Sequence, residues 1–128
     1  MDMPYRVEFE FGGGVKATGI LDDLTELEKL AKESPFTSKV NLWGEEIYFD
    51  LPIELDLEGE RTEMEIGEIA YWPEGNSLCI FFGKTPASKG EKPVAYSDVK
   101  PLGKITEGLE DLKKVRSREK VTVKIEKI

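Results

Sequence analysis

Residues 67–86 read GEIAYWPEGNSLCIFFGKTP. Two short runs, GEIAYW (67–72) and SLCIFFG (77–83), flank Pro73-Glu74-Gly75-Asn76. Pro, Gly and Asn are turn formers, and the runs beside them are rich in aromatic and apolar residues but too short for ordinary helices. The stretch predicts a β-hairpin with aromatic side chains gathered beside its turn. One hairpin cannot stand alone in water, so the remaining chain must supply strands to cover it.

It does so on both sides. In YRVEFEF (5–11), Tyr5, Val7, Phe9 and Phe11 alternate with Arg6, Glu8 and Glu10, the two-residue period of a half-buried strand. Gly12-Gly13-Gly14 then reads as a turn into VKATGIL, a second strand. FTSKVNLW (36–43), EEIYFDL (45–51), IELDL (53–57) and TEMEI (62–66) carry further strand patterns, and KVTVKIEKI closes with Val121, Val123 and Ile125 on one face. Residues 94–99 and 101–105 read as short extended pieces, and 84–93 as a loop. A helix is expected over 23–33: Asp23 and Glu26 have capping-box spacing, Leu24, Leu27, Leu30 and Ala31 form an apolar stripe, and Ser34-Pro35 ends it. Leu109, Leu112 and Val115 mark a short second helix. Many short antiparallel strands avoid exposed edges by closing, so an all-β barrel with two capping helices is expected, as a single domain over residues 1–128.

The net charge of −8 works against phosphate backbones and excludes a general nucleic-acid surface. The densest basic run, KKVRSREK (113–120), is short and reads as a solvated segment. No apolar run approaches the ~20 residues of a membrane helix. MDMPYRVEFE lacks the apolar segment of a signal peptide, and a single cysteine fits a reducing compartment, so a cytoplasmic location is expected. With 19 Glu and 14 Lys but no Gln and two Asn, the composition follows the thermophilic trend.

Without histidine, no His-based triad or Cys-His dyad can form. Cys79 sits among large apolar residues and reads as an inert buried thiol. The carboxylates between Glu45 and Glu68 read as solvated strand faces, and no metal or other cofactor is expected. The aromatics beside turns are the remaining candidates. Trp and Tyr offer an apolar face with one polar handle, as binding pockets use. The expected site is a groove of Trp43, Tyr71, Trp72 and Phe82, with Asn76 and Glu46 as polar contacts.

Residues 67–86 resemble the central stretch of cyclophilins, where a Gly begins a strand, a Gly-Asn loop follows and a Phe-Phe pair ends the next strand. VKPLGKI (99–105) is similar to a second cyclophilin segment. The chain as a whole resembles more closely a group of short prokaryotic cyclophilin-like proteins without an assigned function. Shared motifs are WGEEIYF (43–49) and Tyr-Trp-Pro-x-Gly-Asn (71–76). The resemblance implies a closed eight-stranded antiparallel barrel with a helix at each end.

Cyclophilins lower an amide rotation barrier of about 20 kcal/mol with a guanidinium aimed at the proline nitrogen. Phe82 falls on the second Phe of their pair, which resembles the pocket floor, although the preceding loop is two residues shorter. The guanidinium has no counterpart: Arg6, Arg61, Arg116 and Arg118 all lie outside residues 36–57, where Lys39 is the one basic residue. An ammonium lacks the planar fork of a guanidinium. The groove histidine and glutamine are absent too. The leading expectation is a non-catalytic binding module for a small molecule or short peptide. Alternatives are a divergent peptidyl-prolyl cis-trans isomerase using Lys39 or a backbone donor, and a structural subunit whose aromatic patch is a homo-oligomer interface.

Overall fold

The computed structural model describes residues 3–128. Helix α1 (Thr25–Lys32) follows strands β1 (Tyr5–Phe11) and β2 (Lys16–Leu21). Next come β3 (Phe36–Lys39), β4 (Asn41–Leu42), β5 (Glu46–Asp50) and β6 (Arg61–Glu63). The hairpin strands β7 (Glu68–Trp72) and β8 (Ser77–Phe81) lead to β9 (Val94–Glu107), a 3-10 helix (Leu109–Lys114) and β10 (Lys120–Lys127). No helix among the described residues is long and apolar enough to cross a membrane.

Every pairing is antiparallel. The order is β3-β10-β1-β2-β9-β7-β8-β5-β4, with β6 on β9. The fold is mainly β, as expected, but the closed eight-stranded barrel is not what forms. Ten strands are present among the described residues, and the hydrogen-bonded path stays open between β3 and β4. The cause is local. The run expected over 36–43 breaks at Val40, whose N–H donates to the Glu119 carbonyl at 2.8 Å and whose carbonyl accepts from the Arg118 N–H at 2.7 Å. On one side of Val40 the chain pairs with β10, on the other with β5. One residue of covalent chain therefore links two edges that no ladder joins.

Residues 53–57 form no strand despite their alternation. Side chains from elsewhere satisfy their backbone instead. The Leu55 N–H donates to Tyr71 Oη at 3.3 Å, the Asp56 N–H to Glu26 at 2.6 Å, and the Ile53 carbonyl accepts from Asn76 Nδ2 at 3.1 Å. Glu26 is thereby taken from its expected capping role. Asp23 is occupied too, by Lys127 and the Met3 N–H, so α1 begins two residues later than the motif predicts and has no side-chain cap. Its apolar stripe holds, since Leu27 and Leu30 are fully buried.

The two short pieces expected near residue 100 are one fourteen-residue strand, β9. Register shifts opposite β2 and β7 bend it. Its C-terminal half pairs with β2 and β7, while its N-terminal half pairs with β6. This arrangement covers the sheet twice. An inner core packs Val7, Phe9, Phe49, Tyr71, Ile80 and Leu102. A smaller outer cluster packs Met64, Ala70, Cys79, Phe81, Ala95 and Val99. Strand β8 is consequently buried on both faces.

Candidate functional site

Successive residues of a strand point to opposite faces. On β5, β7 and β8 this sends Ile47, Phe49, Ile69, Tyr71, Leu78 and Ile80 to the inner core. It sends Tyr48, Ala70, Trp72, Cys79 and Phe81 outward. Register places Tyr48 opposite Cys79 and Cys79 opposite Ala70. Two small neighbouring side chains leave room above the sheet. A cavity of about 220 Å³ lies on this side, lined by Trp43, Glu46, Tyr48, Trp72, Ala95, Tyr96 and Val99.

The tight turn between β4 and β5 delivers two of these residues together. The Trp43 N–H donates to the Glu46 carbonyl at 3.0 Å, and the Glu46 N–H to the Trp43 carbonyl at 3.2 Å. Residues paired this way share a face of the sheet. Between them Gly44 has φ +60°, and a Cβ there would collide with Thr85 and Pro86. The turn is thus held against the loop after β8.

Trp72 is held from two sides. Its indole N–H donates to Ser97 Oγ at 2.7 Å. A Cβ on Gly75 would overlap its six-membered ring. Four aromatic rings then follow one another edge to face. Tyr48 and Trp72 are 6.0 Å apart at 82°, Trp72 and Tyr96 6.1 Å at 81°, and Tyr96 and Trp43 5.9 Å at 80°. Rings at right angles make walls rather than a stack.

Among the described residues Glu46 is the one carboxyl in this lining, and it is only 6% exposed. Burial pushes its pKa up to about 7, opposed only by a hydrogen bond with the Cys79 thiol. No lysine or arginine among the described residues offsets that burial. Cys79 is fully buried, and desolvation, then the nearby Glu46, push its thiol well above the ordinary range.

Of the residues expected at the site, Trp43, Glu46 and Trp72 converge on this cavity. Tyr71, Asn76 and Phe82 do not. Tyr71 is one residue from Trp72 and so faces the inner core, where its hydroxyl donates to Asn76 Oδ1 at 2.6 Å. Asn76 closes the hairpin turn with φ 45° and ties it to Ile53. Phe82 also packs in the inner core, and its neighbour Phe81 is the one that faces outward. Tyr48, Ala95, Tyr96 and Val99 complete the lining and stand outside the expected groove, although Tyr48 belongs to the same set of aromatics. Tyr48 shared the alternation of Glu46 and was open to detection. Tyr96 reaches the site only through the bend in β9.

No arginine lines the cavity, nor does Lys39, which is exposed on β3 opposite Lys120. Among the described residues, no group of three or more His, Cys, Asp or Glu is placed to hold a metal ion.

An antiparallel sheet doubly covered around β8, with a cavity on its outer face, defines a class of small β domains. Within it the chain belongs to the cyclophilin-like family, whose model matches residues 5–124. It is similar to a hypothetical protein of Archaeoglobus fulgidus solved in solution, with 31% identity and a TM-score of 0.82. The match covers 97% of this chain and 96% of that one. No curated protein matches the chain.

Proposed function

We propose that this protein is a binding module that takes a small molecule, or a side chain of a short peptide, in the outer-face cavity. The carrying observation is the series of four rings, Trp43, Tyr96, Trp72 and Tyr48, each close to perpendicular to the next, around about 220 Å³ of space. Aromatic walls with one convergent polar group are the usual make-up of ligand pockets. The reading is non-catalytic, because the cavity lining contains no guanidinium, imidazole or lysine to stabilise developing charge.

Family membership supports prolyl isomerisation as a second reading, and with it comes a test that serves both. NMR on the labelled protein, titrated with Xaa-Pro peptides and a small-molecule library, reads binding at the Trp43 and Trp72 indole resonances. Exchange spectra of the peptides read catalysis in the same samples. Indole shifts without accelerated cis–trans exchange support the binding module. Accelerated exchange supports the isomerase. Unperturbed indoles throughout, with concentration-dependent sedimentation, overturn both in favour of an oligomer interface around Tyr96, which is 72% exposed.

A further inference from the structure

We propose that the cavity takes the head of a small organic cation, an alkylated ammonium group, held against the faces of Trp43, Tyr48, Trp72 and Tyr96 and neutralised by the Glu46 carboxylate. This rests on the binding reading above and names the chemical class of its ligand.

Three observations meet here. First, Glu46 is 6% exposed and lines the cavity without an ionic partner among the described residues. A carboxylate withdrawn from water needs a compensating charge or donors, and a bound cation supplies that charge. Second, all four aromatic side chains of the lining surround the same space, and each contact between successive rings is close to perpendicular. Aromatic faces carry negative quadrupole density, and several faces around one space attract a cation whose alkyl groups also fill apolar volume. Third, the chain carries a net charge of −8, and the lining has no lysine or arginine to repel a cation.

The apolar shell selects the kind of cation. Ala95 and Val99 complete the walls and offer no hydrogen-bond acceptor from their side chains. A primary ammonium would lose hydration that one carboxylate cannot replace, whereas an alkylated head carries its charge on a weakly hydrated surface. Metal ions are disfavoured for the same reason, since one carboxylate is a poor ligand set.

Binding of such a cation is linked to proton release from Glu46. Cys79 from β8 hydrogen-bonds the carboxyl, and Tyr48 on its own strand and Tyr96 from β9 are the other titratable groups of the lining. The thiol is held protonated by burial. Cation affinity therefore increases as pH rises, by about tenfold between pH 6 and pH 8.

The test is calorimetric and NMR titration with choline, with its uncharged carbon isostere 3,3-dimethylbutanol, and with a short peptide carrying trimethyllysine. Choline binding at least about tenfold tighter than the isostere, increasing with pH, is the expected result. Glu46→Gln is expected to abolish the pH dependence and to shrink that preference to the part the aromatic walls supply, weakening choline more than the isostere. Tyr96→Leu, at an exposed position, is expected to weaken choline more than the isostere. Choline and peptide arms distinguish a free ligand from a modified side chain. Equal binding of choline and isostere overturns the cation proposal and leaves the binding module intact. Failure of all three to bind overturns the proposal, and silence from the proline-peptide and small-molecule panel as well removes the binding module too.

Discussion

The Trp72 indole N–H and the Ser97 hydroxyl meet at 2.7 Å, joining the end of β7 to the N-terminal half of β9. This bond fixes the orientation of the ring between two other aromatic walls. Removing a partly buried acceptor leaves the donor unsatisfied. Ser97→Ala is expected to cost about 1 kcal/mol of stability and to speed hydrogen exchange at the indole N–H. Unchanged indole exchange in that variant would show that the ring is held without the hydroxyl.

Gly75 sits under the same ring, where any Cβ would overlap it. Gly75→Ala should displace the indole and cost about 1–3 kcal/mol, as overpacking does. The readout is a loss of ring-current shift on Tyr96, 6.1 Å from Trp72. A preserved Tyr96 spectrum would mean that the turn, not the ring, gives way.

Glu46 makes stability depend on pH. Its folded pKa is about 7, against 4.5 for an ordinary glutamate. The folded state therefore holds a proton that the unfolded chain releases from about pH 4.5 upward. Stability falls as pH rises from about 4.5 to about 7 and levels off above, a loss of about 3 kcal/mol if burial acts in full. Glu46→Gln stays neutral throughout. It should match the parent near pH 4.5 and exceed it near pH 8 by up to that amount in denaturant titrations. Parallel pH profiles for the two proteins would show that the carboxyl is solvated.

Tyr71 carries a structural role distinct from its neighbour's. Its hydroxyl donates to Asn76 at 2.6 Å and accepts from the Leu55 N–H at 3.3 Å. Tyr71→Phe strands both partners and is expected to cost about 1–3 kcal/mol in thermal or chemical unfolding. Ligand binding at the outer cavity should be unaffected. A change in affinity without a change in stability would move Tyr71 to the site.

Those adjacent residues show what sequence reading can and cannot reach. The alternation of β1 was legible because one face is core and the other is water, so Val7 and Glu8 differ in kind. Strand β8 is covered on both faces, so its run of Leu78, Cys79, Ile80 and Phe81 has no polar register mark. Without that mark, Tyr71 and Trp72, or Phe81 and Phe82, cannot be assigned to sides. Trp43 and Glu46 were legible one by one, as an aromatic beside a turn and as a polar contact, and the two-residue turn that pairs them emerges in the structure. Tyr96 was not, because its arrival depends on bulges in β9 that no local pattern announces. The alternation in IELDL misled for a different reason. Tyr71, Glu26 and Asn76 satisfy that segment's backbone, and such long-range side-chain bonds leave no local trace.

Strand β10 lies between β3 and β1, and pairs with both. During translation this placement imposes a delay. Until residues 120–127 leave the ribosome, β1 and β3 each expose a row of unpaired peptide groups that other chains could recruit. The charges on Arg6, Glu8 and Glu10, alternating with the core residues of β1, then stand as gatekeepers against misassembly on the nascent polypeptide.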